Sequence, residues 1–156
     1  MGTATLYRHF PNRQALARAV LDRVLDEEVE SLLAEFTSGH ASRDDLLAVS
    51  ERLIDLLRRE RGVVQLVGNL AEVTADFLTR DGRLADTVIR AKAAGNLRPD
   101  LEPGDLPMLL VMLTTGPALQ DAQPAVRRRH LSLLLDGLNP SRAVPLPTHV
   151  PAEPSR

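Results

Sequence analysis

Apolar residues recur three and four places apart along most of this chain, and that spacing commits it to helices. Leu16, Val20, Val24, Leu32, Leu33 and Phe36 set a stripe from Arg13 to about Phe36, closed by Ser38-Gly39. Ser42-Arg-Asp-Asp45 is a near capping box, and Leu46, Val49, Leu53, Ile54 and Leu57 carry the next stripe to Gly62. Residues 63–78 are apolar enough to be mostly buried, with Gln65, Asn69, Glu72, Thr74 and Asp76 interleaved. After a break at Gly82, residues 83–94 predict a helix closed by Gly95-Asn96, a pair suited to left-handed cap geometry. Asp105 is the expected cap of the following helix, since it places Pro107 in the first turn, where a missing amide costs little. Leu106 to Thr115 is apolar nearly all round, which implies burial on several sides, and Gly116-Pro117 stops it. Pro124 opens a last helix in which Leu131, Leu134, Leu135 and Leu138 share a face. The fold is expected to be all-α.

With 156 residues, 44% of them hydrophobic, the chain suits one soluble domain with a core of its own. It has no cysteine, which removes disulfides and thiol chemistry. No uninterrupted apolar run approaches a membrane span, and no basic stretch precedes an apolar one at the N-terminus, so no membrane partner and a cytoplasmic location are expected. His9, His40, His130 and His149 are scattered without metal-ligand spacing, and no phosphate-binding glycine loop or nucleophile elbow is present. Asp26-Glu27-Glu28 offers no acid/base pair, because adjacent residues on a helix point in different directions. No catalytic residue, metal or cofactor is expected, and Arg127-Arg-Arg129 is read as a solvated face. The five prolines between 140 and 156 leave no period, which predicts a disordered tail.

The first residues carry the chemistry. Leu6 and Phe10 share one helical face, Ala4, Tyr7 and Arg8 another, and Thr5 and His9 a third. Pro11 stops this short helix, and Asn12 can cap the next by accepting from its orphan amides. A helix entering the major groove needs short residues at its leading end and hydroxyl, imidazole and guanidinium donors beside it for phosphates. Thr3, Ala4, Thr5, Tyr7, Arg8 and His9 fit that division. Arg8, Arg13, Arg18 and Arg23 stand against Asp22 alone in residues 1–25, whereas 26–35 hold five carboxylates and no base. The positive end coincides with the motif, the polarity that phosphate binding wants.

The string Thr5-Leu-Tyr-Arg-His-Phe-Pro-Asn-Arg-Gln-Ala-Leu16 closely resembles the recognition helix and following helix start of TetR-family transcriptional repressors. Arg13 replaces the family's commoner lysine and Gln14 its commoner glutamate. The resemblance implies that Thr5, Tyr7, His9 and Arg13 hold phosphates while Thr3, Ala4 and Tyr7 approach base edges. Ala91-Lys-Ala-Ala-Gly-Asn-Leu-Arg-Pro-Asp-Leu-Glu-Pro-Gly-Asp-Leu106 resembles the regulatory domains of the same family. It implies a TetR-like division: residues 1–23 a partial helix-turn-helix domain, 24–139 a helical ligand-binding and dimerisation domain, and 140–156 the tail. A homodimer through helices at about 106–115 and 124–138 would bind a palindromic operator and respond to a small, partly apolar effector. Gln65, Asn69, Val73, Phe77, Met108 and Met112 are the candidate ligand contacts, being apolar positions with polar groups between them.

The same comparison implies that two helices preceding the recognition helix are absent from these 156 residues. The family commonly carries valine where Met1 stands, and a valine GTG codon misread as a start would give such a chain. Operator binding by this chain alone is therefore expected to be weak or absent, at least about tenfold below that of an upstream-extended version. The alternatives are a dimeric helical ligand-binding module that no longer binds DNA, and a helical interaction scaffold.

Overall fold

In the computed structural model, which describes residues 10–38 and 41–147, helices carry most of the chain and no strand forms among the described residues. Helix α1 (Arg13–Glu28) starts at Asn12, whose Oδ1 accepts the Ala15 amide at 2.8 Å. Helix α2 (Glu30–Ser38) continues the same run. The interruption is local, because Val29 N–H still donates to the Leu25 carbonyl and its own carbonyl accepts from Leu33, both at 2.9 Å.

The stripe of this long run that meets the core is Ala17, Leu21, Leu25, Val29, Leu33 and Phe36, all buried. This corrects the expected stripe, which began one residue earlier: Val20 is 39% exposed, and Leu16 and Val24 are half-buried. The physical reason is continuation. Steps of four from Leu16 run into Glu28, whereas steps of four from Ala17 reach Val29 and Leu33, so only the second stripe stays apolar over both helices.

Helix α3 (Arg43–Arg59) opens on a complete capping box, with Asp45 N–H donating to Ser42 Oγ and Ser42 N–H donating to Asp45 Oδ2 at 2.9 Å. Then follow α4 (Arg61–Val64), α5 (Leu70–Thr79), α6 (Arg83–Ala93), α7 (Asp105–Thr115), α8 (Pro117–Asp121) and α9 (Pro124–Leu135). Two 3-10 turns, Asp136–Leu138 and Pro140–Arg142, complete the order. Helix α7 packs on α3, α5 and α6, α9 rests on α3, and α1 lies against α4 and α5. Leu53 and Ile54 of α3, Phe77 of α5, Val88 of α6, Leu110 of α7 and Leu131 of α9 converge in one core. Each such side chain contributes roughly 1.5–3 kcal/mol by leaving water.

Several local expectations change. The apolar run 63–78 is two helices, because Gly68 adopts φ +77° between them and leaves Gln65 and Leu66 exposed. Asp105 is the first residue of α7 instead of its cap; Gly104 holds the cap position and the Asp105 carboxylate accepts the Glu102 amide at 2.7 Å. Helix α7 buries Leu106, Leu110 and Leu113 but leaves Met108 56% and Met112 59% exposed. Arg127 departs from the solvated face expected for it. It is buried and donates to Asp55 Oδ1 at 2.6 Å, while Arg128 reaches Glu51 and Arg129 stays exposed.

Of the tail expected to lack order, residues 148–156 lie outside the described residues, while 140–147 are tied back by Arg98 and Asp100. Arg98 is buried, and its Nε and Nη2 grip Asp100 in a two-pronged pair at 2.6 and 2.8 Å. Its Nη1 donates to the Gly137 carbonyl at 3.0 Å, its Nη2 also reaches the Val144 carbonyl, and Leu146 N–H donates to Asp100 Oδ2 at 2.8 Å. Proline counting sees missing helical period and misses a guanidinium that supplies donors to a carbonyl without any period.

Arg98, and then the Leu146 amide, hold the Asp100 carboxyl well below the usual carboxylate range. A depressed folded pKa gives stability that is present above the unfolded value of about 3.9 and is lost as pH falls toward the folded one. Asp100→Asn should therefore be less stable than the parent at pH 7, with the gap narrowing steadily below about pH 4. Urea midpoints across that range measure it, and a gap independent of pH would contradict the assignment.

Candidate functional site

Of the residues assigned to DNA, Thr3, Ala4, Thr5, Tyr7, Arg8 and His9 lie outside the described residues, so the site is built from Arg13 onward. Arg13 is exposed in the first turn of α1. Two residues that follow it, Gln14 and Arg18, reach across the surface and tie this end to the body. Gln14 Nε2 donates to the Val67 carbonyl at 3.1 Å, and Arg18 donates to Glu72 Oε1 at 3.2 Å and also to Asp76.

Farther along, Arg80 meets Asp26 at 2.6 Å and Arg83 meets Glu30 Oε2 at 2.8 Å. The run α1–α2 is thus stitched to α5 and the start of α6 over most of its length. Exposed pairs of this kind are worth about 0.2–1 kcal/mol each and weaken with salt. Their consequence is register between the two elements more than stability.

Gly68 stands beside the first of these contacts. The backbone sits at φ +77°, which favours glycine, and a Cβ there would lie 2.1 Å from Gln14 Nε2, so a larger residue would push the Gln14 side chain off the Val67 carbonyl. A glycine inside an apolar run was the sequence signal for such an approach.

A cleft of about 250 Å³ opens at this joint, lined by Asn12, Gln14, Ala15 and Arg18 on one side and Val67, Asn69, Glu72 and Val73 on the other. Two of the six candidate ligand residues, Asn69 and Val73, are therefore brought beside the start of α1. Asn69 also caps α5, accepting the Glu72 amide at 3.2 Å. Val73 and Phe77 are core residues, and Gln65 is exposed on the connection. Met108 and Met112 lie on the solvent face of α7, turned away from buried Leu106 and Leu110. The six do not form one site.

A larger cleft, about 650 Å³, was not foreseen. Its lining is Asp55, Arg58 and Arg59 at the end of α3, Arg61 at the start of α4, and Asp121 at the end of α8. In sequence this is a charge run at a helix end, the usual mark of solvated surface. Only the packing of α8 against α3 makes it concave.

Among the described residues, no group of three or more His, Asp or Glu is placed to hold a metal ion, and no helix is long and apolar enough to cross a membrane. Residues 51–140, from within α3 to the second 3-10 turn, match a TetR-type family described as the transcriptional regulator SbtR-like C-terminal domain. No curated protein and no solved structure matches the chain significantly.

Proposed function

The chain belongs to the TetR family of transcriptional regulators, and on that premise we propose that it is a ligand-responsive repressor that binds a palindromic operator as a homodimer. The observation that supports the reading best is the joint at the start of α1. This helix follows directly on the motif assigned to the major groove, and its first turns are fastened to residues 67–76 by Gln14 and Arg18. A ligand that displaces the α4–α5 connection would pull on α1 through these bonds, and so on the motif assigned to DNA.

An effector seated against Asn69, Val73, Gln14 and Arg18 would act at that joint. It would shift the equilibrium only by the difference in its affinity for the two positions of α1. The homodimer reading rests on α7 and α9, which expose Met108 and Met112 on one helix and Val126, Leu133 and Leu134 on the other. Both helices pack on α3, and large apolar side chains left exposed on two elements with a common neighbour support a face covered by a partner, here a second copy of the chain.

Selection from a random duplex library tests the reading. A palindromic sequence should be enriched, and its affinity should fall linearly in log-log form with salt. Arg13→Ala should reduce that slope by about one phosphate contact. Recovery of no preferred duplex is the result expected of the alternative, a helical ligand-binding module that does not bind DNA.

A further inference from the structure

The geometry points to the 650 Å³ cleft as a binding site for a compact anion, a phosphate ester or a small polycarboxylate, independent of the operator reading. Three guanidinium groups, those of Arg58, Arg59 and Arg61, line it. A fourth stands directly behind: Arg127 has a side chain only 4% exposed and donates through Nη2 to Asp55, a wall residue. Its Nε and Nη1 are buried and find no hydrogen-bond partner among the described residues. Asp55 matches the single positive charge of Arg127, so this carboxylate of the cleft wall is already taken and Arg58, 4.0 Å from it, has no close acid of its own among the described residues.

The resident carboxylates do not fully neutralise the three guanidinium groups that line the cleft. Asp55 is committed to Arg127, and Arg58 Nη1 is only loosely placed, 4.0 Å from the same Oδ1. Arg61 pairs with Asp121 and Arg59 with Glu28, both pairs on partly exposed side chains. Four guanidinium groups therefore meet three carboxylates, and two of the guanidiniums, Arg58 and Arg61, can be recruited cheaply. Exposed pairs are worth about 0.2–1 kcal/mol, so an anion able to take a two-pronged bond from each guanidinium displaces Asp121 with net gain.

The shape and charge order argue for a small ligand over a nucleic-acid backbone. An extended polyanion laid across this surface would meet Asp121, Asp55 and Glu28 in turn, whereas a compact anion inside the cleft has to displace one carboxylate only. The volume lies within the range typical of small-molecule sites.

Inorganic phosphate is the probe, titrated calorimetrically into the full chain at constant ionic strength set with chloride. Saturable binding is expected, with Arg58→Gln combined with Arg61→Gln weakening it at least about tenfold. Arg129→Gln, an exposed arginine outside the cleft, should leave it unchanged. Matching circular dichroism of the variants establishes that both fold. Equal binding by parent and double variant, or no saturation in the parent, overturns the proposal. So does a result in which duplex DNA but not phosphate loses affinity in the double variant, because the arginines would then serve a phosphate backbone.

Discussion

Leu110→Ala is expected to remove between about 2 and 5 kcal/mol of folding stability, the cost of a cavity at a fully buried leucine. Leu110 sits on the face of α7 that packs on α3, α5 and α6, so no single neighbour can relax into the space without losing its own contacts. Natural domains hold roughly 5–15 kcal/mol in total, so the urea midpoint should fall by a large fraction while the slope stays unchanged. The informative partner is Met112→Ala on the same helix. Met112 is 59% exposed, and truncating it should cost the protomer no more than about 0.5 kcal/mol. Equal losses from the two substitutions would mean that α7 has been assigned the wrong face.

That comparison also marks where the sequence was legible. Helix ends were the clearest part: Asn12, Ser42 with Asp45, Gly95 and Pro124 each carry a local chemical reason for starting or stopping a helix, and each stands where that reason puts it. Which side of a helix faces the core was harder. Helix α1 offers two apolar stripes one residue apart, and the choice depends on what happens beyond its end, at Val29 and Leu33. Helix α7 is uniformly apolar, so its own pattern contains no direction; the packing partners decide that Leu110 is covered and Met112 is not.

The candidate sites divide along the same line. Asn69, Val73 and the start of α1 come together through a fold-level contact that a glycine at position 68 allows, and the residue spacing hints at it without locating Gln14. The arginine cleft was invisible, because Arg58, Arg59 and Arg61 have the composition of ordinary surface and Arg127 lies far along the chain. The period of α9 does separate them, since Arg127 stands four and eight residues before the buried Leu131 and Leu135 while Arg129 stands four before the exposed Leu133, but an arginine on an apolar face names no partner. The distinction is that Asp55 lies opposite one and solvent opposite the other.

Met112→Glu combined with Leu134→Glu should convert the proposed homodimer into a folded monomer. Both side chains are exposed in the protomer, 59% and 50%, so neither substitution introduces a charge into the protomer core, and circular dichroism should be unchanged. In a two-fold interface every residue appears twice, so the pair places four carboxylates where apolar side chains were to meet. Desolvating an unpaired carboxylate costs several kcal/mol, and four of them exceed what an interface of ordinary size can offset. Sedimentation at about 10 μM should then give the monomer mass where the parent gives the dimer. Operator affinity should fall on the order of 100-fold, since the second half-site is no longer held at high effective concentration by the first. A dimer that survives both substitutions would require a different face. The loss of DNA binding without loss of dimer would place α7 and α9 in the coupling between joint and operator instead of in the contact between copies.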